Sequence, residues 1–292
     1  MVGATATHWC STAQYAAVNG VQLHYREAGH GPLVILLHGF PEFWYSWRHL
    51  MPALADAGYH AIAPDLRGYN LSGKPQGVAS YTIDTLADDI AALIHHAGER
   101  RAHIIGHDWG GAVAWHLAMR HRELVDRLVI LNAPHPRAFA RELRKPRQLW
   151  RSRYMLLFQL PRVAEAIIAR NDFAIIRRIL RNDPVRPDAF SDVDIDRYIH
   201  ALARPWALSS AINYYRAAAR FRPGRTPGFS SRIDAPTLLI WGEQDRYLDI
   251  ALSANLDRWV PNLAVEYIAD ASHWVMSDAP EEVERLVVNF LP

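Results

Sequence analysis

Asp108 stands in the run Gly106-His107-Asp108-Trp109-Gly110-Gly111, a carboxylate with small residues two before and two after it. The run follows an apolar stretch that reads as a strand and opens one that reads as a helix. A strand-to-helix elbow is so tight that flanking side chains would collide, which is why glycine fits there. The turn lifts its central side chain over a sheet edge, and the helix N-terminus behind it favours negative charge. A serine in that position suits acyl transfer at a carbonyl. A carboxylate can instead displace a leaving group from an sp³ carbon and remain as an alkyl ester, which an activated water then cleaves. The plainer reading is that Asp108 only caps the helix; the partners that follow weigh against it.

His273, in Ala271-Ser272-His273-Trp274, follows the last apolar strand and precedes the final helix, where the base belongs in this chain order. Asp245, just past the strand ending at Trp241, is placed to orient the imidazole and stabilise its charged form. Asp249 is the rival acid but sits better as the N-cap of the next helix. The other location for an acid, after the sixth strand, holds Asn132, which carries no charge. Upstream, His38-Gly39-Phe40-Pro41 follows a strand, and the backbone N–H groups of Phe40 and Trp109 are candidates for an oxyanion hole. Pro41 is a candidate for a cis peptide bond.

These residues need a sheet edge to meet on. Short apolar runs at Leu33–Leu37, Tyr59–Ala63, Ala102–Ile105 and Val125–Leu131 alternate with helical patterns at Tyr81–Ala97 and Trp109–Arg120. Asn19-Gly20 between apolar runs predicts an early hairpin. After residue 136 the alternation stops, and residues 137–222 read as helices interrupted at Pro146, Pro161, Pro184, Pro187 and Pro205. Strands return at Pro236–Trp241 and Leu263–Ile268, with helices at Asp249–Val260 and Pro280–Phe290. The expected fold class is therefore α/β: a mostly parallel sheet flanked by helices, carrying an all-helical insertion between its sixth and seventh core strands. Ligands of such sheets bind at the carboxyl ends of the strands, and the insertion is placed to roof that edge.

Composition narrows the class. The 292 residues, half of them apolar, can bury a large core. No apolar run is long enough to span a bilayer, so no membrane insertion is expected. The N-terminus lacks the pattern of a secretory signal, and Cys10 is the single cysteine, which agrees with a reducing cytoplasm. No metal cluster, phosphate loop in the right context or dinucleotide fingerprint occurs, so neither metal nor cofactor is expected. The net charge of +2 hides an asymmetry: residues 135–232 hold 20 Lys/Arg and 8 Asp/Glu. The arginines recur at helical spacing without a binding motif, so they read as solvated helix faces and no nucleic-acid partner is expected.

The stretches His38-Gly39-Phe40-Pro41-Glu42, Asp65-Leu66-Arg67-Gly68-Tyr69, the Asp108 elbow and Ser272-His273-Trp274 resemble the α/β-hydrolase-fold epoxide hydrolases, over about residues 15 to 291. The resemblance implies Asp108 as nucleophile, Asp245 and His273 as the charge relay, and a helical cap over residues 135–230 on a core of 1–134 and 231–292. It also implies two cap tyrosines that bind and protonate the epoxide oxygen. Tyr154 and Tyr215 match those positions, with Tyr214 competing for the second. Asn70 stands where many relatives carry glycine, and asparagine also tolerates a left-handed backbone. Glu42, His107 and His135 also match the family pattern and read as structural, or at most as groups that support the reacting residues from behind. Trp109, Phe158 and Trp206, with Trp150, Leu156 and Leu157, suggest a small lipophilic epoxide as substrate, taken by a monomer or homodimer. Two alternatives use the same residues: a haloalkane or haloacid dehalogenase with the Trp109 indole as halide donor, and an inactive binding protein on a hydrolase scaffold.

Overall fold

The apolar runs read as strands pair into one eight-stranded sheet in a computed structural model that describes residues 11–221 and 229–292. The chain runs β1 (Thr12–Val18), β2 (Val21–Ala28), β3 (Leu33–Leu37), α1 (Leu50–Asp56), β4 (His60–Pro64), α2 (Ile83–His96), β5 (Ala102–His107), α3 (Asp108–Arg120) and β6 (Val125–Leu131). Helices then follow one another: α4 (Pro136–Glu142), α5 (Pro146–Arg151), α6 (Tyr154–Phe158), α7 (Val163–Asn182), α8 (Asp192–Leu202) and α9 (Ala207–Arg220). The sheet resumes with β7 (Thr237–Gly242) and β8 (Leu263–Ile268), and the chain closes on α10 (Val275–Asp278) and α11 (Pro280–Phe290). Cys10 and part of the segment joining α9 to β7 lie outside the described residues.

The sheet order is β1-β2-β4-β3-β5-β6-β7-β8, antiparallel at β1–β2 and β2–β4 and parallel from there on. Asn19 and Gly20 both take positive φ, 44° and 72°, the pair a two-residue hairpin turn requires. Burial on both faces explains why the central strands read as unbroken apolar runs. Leu33, Ile35 and Leu37 of β3 join the core that contains α2 and α3, while Val34 and Leu36 join the opposite core with α1 and α11. The first core continues into the inserted helices through Ile195, Tyr198 and Ile212.

The prolines act as the sequence suggests, though Pro146 starts a helix rather than breaking one, because a missing N–H costs nothing in the first turn. Two expectations differ. The helix predicted over Asp249–Val260 is a single 3₁₀ turn, Ile250–Ser253: Asp249 caps it by accepting from the Ala251 N–H at 3.0 Å, and the chain leaves at Asn255 with φ of 57°. Helix α1 was not anticipated, since it is only seven residues long and carries Pro52 in its first turn.

Candidate active site

Parallel pairing lines up the strand ends: Leu37 lies opposite Gly106, His107 opposite Leu131, and Leu131 opposite Ile240. The loops after β3, β5, β6 and β7 therefore leave the sheet at one edge. Asp108 occupies the elbow with φ of 49°. A Cβ on Gly110 would come within 2.0 Å of the Leu37 carbonyl oxygen, and one on Gly106 within 2.5 Å of the Gly110 oxygen. Neither position admits a larger residue, and this packing is what raises Asp108 above the edge.

The Asp108 carboxylate is held on two sides. The Phe40 N–H donates to Oδ1 at 2.9 Å, and His273 Nε2 lies 3.7 Å from Oδ2. Pro41 follows Phe40 through a cis peptide bond. On its far side the His273 ring places Nδ1 2.7 Å from Asp245 Oδ2. Asp245 is buried and fully satisfied: Asn132 Nδ2 donates to Oδ2 at 2.8 Å, and the N–H groups of Tyr247 and Leu248 donate to Oδ1 at 2.7 and 2.9 Å. Burial by itself would raise the Asp245 pKa, but the His273 charge and these hydrogen bonds outweigh it and hold it low. An ionised acceptor there requires the proton on His273 Nδ1. Burial alone would lower the His273 pKa; the charges of Asp245, Asp108 and Glu42 and the bond to Asp245 raise it instead, to about 9.

Asn132 was set aside as an acid, and it has a different part here. Its Oδ1 accepts the Gly242 N–H at 2.9 Å while its Nδ2 supports Asp245, so it fixes the acid's loop from the neighbouring strand end. His107 is likewise more than filler. Its Nδ1 lies 2.7 Å from Glu42 Oε2 and its Nε2 2.8 Å from the His273 carbonyl oxygen. Glu42 also accepts from the Gly39 N–H and from Ser46. Burial opposes its charge, but His107 overrides that and pulls the Glu42 pKa down to about 2. One buried pair thus ties together the Gly39 loop, the elbow and the backbone of His273. Asn70 takes the expected left-handed backbone, φ 38°, and donates to Asp65 at 2.8 Å. His135 is a buried packing residue stacked on Trp259.

Above Asp108 and His273 lies a cavity of about 550 Å³. Tyr154 and Tyr215 are both on its wall, their rings 5.9 Å apart and edge-on. Tyr214 is not: its hydroxyl donates to the Arg67 carbonyl at 2.7 Å, away from the cavity wall. Burial first, then the Asp108 charge, raises the Tyr154 pKa; burial, then Tyr154 and Asp108, raise that of Tyr215 further. Both are therefore phenols, ready to donate, at neutral pH. Phe158 lines the cavity as expected, its ring 4.8 Å from that of Tyr215.

Two substrate-contact expectations are corrected. Trp206 precedes α9 with a left-handed φ of 67°, is 62% exposed and is absent from the wall; Leu156, which the sequence grouped with it, is likewise exposed and off the wall. Trp109 is absent from the wall too; its ring stands edge-on to Tyr214 and Tyr215. The sequence reading missed the α7 isoleucines Ile168, Ile175, Ile176 and Ile179, and Tyr247 beside His273. Ile168 lies before a kink at residues 170–173; after it, Ile175, Ile176 and Ile179 fall within one turn of helix, a signal that marks an apolar face without saying whether it meets core, cavity or solvent.

An α/β hydrolase fold family model matches residues 32–280. Epoxide hydrolase 3 of Xenopus tropicalis is 37% identical over 281 residues, covering 94% of this chain and 75% of that protein. The chain belongs to the α/β-hydrolase-fold epoxide hydrolases. The AB hydrolase superfamily protein YfhM of Bacillus subtilis is 42% identical over 95% of this chain and 97% of its own length. Among solved structures, an epoxide hydrolase of Bacillus megaterium in complex with an inhibitor superposes with a TM-score of 0.88 at 35% identity, covering 95% of this chain and 99% of that one. No described helix is long and apolar enough to cross a membrane.

Proposed function

We propose that this epoxide hydrolase opens a lipophilic epoxide to a vicinal diol through a covalent ester on Asp108. In this reading residues 135–230 form the cap and 1–134 with 231–292 the core. Asp108 Oδ2 attacks a ring carbon, the carbon–oxygen bond breaks, and the departing oxygen takes a proton from Tyr154 or Tyr215. Oδ1, already bonded to the Phe40 N–H, becomes the ester carbonyl oxygen. Water then attacks the ester carbon while His273 takes its proton, and the oxyanion is met by the N–H groups of Phe40 and Trp109, the latter a free donor of the first turn of α3. Collapse breaks the ester bond, and the departing oxygen takes the proton held by His273. The second proton of the water, left on the Asp108 carboxyl, passes back to the tyrosine that gave up its own. The diol is released, and Asp108, His273 and the phenol are all restored.

The electrostatics suit that order. Part of what raises the His273 pKa is the Asp108 charge. Esterification removes that charge, so His273 is freed to become neutral at the step where a base is needed. Asp245 stays ionised and receives the imidazolium that follows.

The observation that carries the epoxide reading over a dehalogenase is the pair of phenols facing Asp108 across the cavity. An alkoxide leaving group needs a proton donor, whereas a halide needs hydrogen-bond donors and no proton. The Trp109 indole, the halide donor the other reading requires, is absent from the cavity wall and packs edge-on against the Tyr215 ring. A rate survey over styrene oxide, an aryl glycidyl ether and 1-bromobutane tests this. Diol formation from the epoxides with no bromide release is expected; bromide release without diol would give the site to the dehalogenase reading.

A further inference from the structure

The rim of the cavity differs from the rest of the surface. Fourteen large apolar side chains are exposed among the described residues, and seven of them fall in one short stretch, from Leu149 and Trp150 in α5, through Leu156 in α6, to Ile167 and Ile175 in α7. Trp150, Ile167 and Ile175 also line the cavity, so the exposed apolar surface surrounds its mouth. Exposed apolar patches of this kind mark contact surfaces more often than chance.

The wider segment that contains this stretch is basic. Residues 141–182 hold eleven Lys/Arg against three Asp/Glu. Several of the cations are neutralised locally, such as Arg147 by Asp249, Arg177 by Asp172 and Asp196, and Arg181 by Asp192. Arg144, Arg153, Arg162, Arg170 and Arg178 are exposed and form no ion pair among the described residues. Residues 1–10 and 222–228 contain no Asp or Glu, so no carboxylate side chain remains to pair with them. Arg153 stacks its guanidinium 4.2 Å over the Trp150 ring at the cavity mouth, an arrangement in which an aromatic ring and a cation can sit together at a lipid headgroup layer.

We propose that the α5–α7 face docks on an anionic lipid surface, with the cavity mouth turned toward the bilayer. Three considerations select this occupant. Exposed apolar side chains on a segment that also carries uncompensated arginines, Arg153 at the cavity itself, complement a negatively charged headgroup layer with an apolar interior. A two-fold interface between copies of this chain would set the same five arginines against one another. An acidic protein seated here would plug the route to Asp108, whereas a bilayer is where lipophilic substrates concentrate. The docking is peripheral, and needs no spanning helix.

The test separates docking from turnover. The full chain is sedimented with vesicles of phosphatidylcholine alone and of phosphatidylcholine with phosphatidylglycerol, at low and high salt. Binding to the anionic vesicles, weakened by salt and near absent on the neutral ones, is expected. Reversing three charges, in Arg162→Glu/Arg170→Glu/Arg178→Glu, should weaken it roughly a hundredfold. Leu156→Glu/Leu160→Glu, at exposed positions away from the cavity wall, should weaken it while leaving hydrolysis of dissolved styrene oxide unchanged. Failure to bind anionic vesicles, or binding that neither variant reduces, overturns the proposal. A concentration-dependent dimer abolished by Leu156→Glu/Leu160→Glu, without vesicle binding, would assign the face to a second copy instead. Vesicle binding is read without substrate, so its outcome stands apart from whether the chain turns over epoxides.

Discussion

His273→Gln is expected to accumulate protein carrying one substrate molecule as an ester. Asp108 attacks with its own lone pair and needs no base, so alkylation survives the change. Hydrolysis of the ester needs a proton removed from water in the transition state, and a glutamine amide cannot take it. The glutamine Nε2 can still donate toward Asp245, whose remaining bonds from Asn132 and the Tyr247 and Leu248 N–H groups keep that buried carboxylate satisfied, so the fold should hold. A general base contributes about a hundred- to ten-thousandfold, and steady-state diol formation should fall by at least that range's lower bound. Intact-mass measurement after mixing with styrene oxide should show the enzyme shifted by the substrate mass. Wild-type turnover, with no adduct, would mean that His273 is not the base. Asp245→Asn should slow the same step less completely, because a mis-set imidazole still acts on occasion.

The second large effect belongs to the phenols. Tyr154→Phe and Tyr215→Phe each leave the other hydroxyl on the cavity wall, so each alone should slow alkylation by roughly ten- to a thousandfold. The double variant should nearly abolish it, since no other phenol replaces them: Tyr214 is committed to the Arg67 carbonyl and Tyr247 to Asp183. Pre-steady-state alkylation with styrene oxide reads this directly. A double variant that alkylates at the wild-type rate would remove the tyrosines from the reaction, as a halide substrate would also do for 1-bromobutane.

Much of this arrangement was legible because the chemistry and the backbone constrain each other. The glycines around Asp108 have no alternative in so tight an elbow, so their spacing reveals both turn and nucleophile. Asp245 follows the buried apolar strand β7 and His273 the edge strand β8, which Glu266 interrupts, and parallel pairing then leaves little freedom in where they meet. What escaped has a different physical character. Asn132 acts through hydrogen bonds to another strand end, and its importance depends on a neighbour 113 positions away. The Glu42–His107 pair spans 65 positions, and neither residue carries a local sign of its partner. Trp206 reads as a cavity residue on hydrophobicity alone, yet side-chain type cannot tell which way a residue in the turn before a helix will face. The α7 isoleucines show the converse: their spacing marks an apolar face, but only the packing of the inserted helices leaves a space beside it. Asp249 was read correctly as a cap, but a good cap does not guarantee the length of the helix it begins.

The claim on which the rest depends is that Asp108, and not water, makes the first bond to the substrate. A single turnover with enzyme in excess over epoxide, run in heavy-oxygen water, tests it most directly. If the ester forms, the water oxygen enters the Asp108 carboxylate when the ester is cleaved. Digestion and mass analysis should then find the label in the peptide containing Asp108, and the first diol released should carry only unlabelled oxygen. A first diol that carries the label, with an unlabelled Asp108 peptide, would mean direct attack by water and would contradict the account.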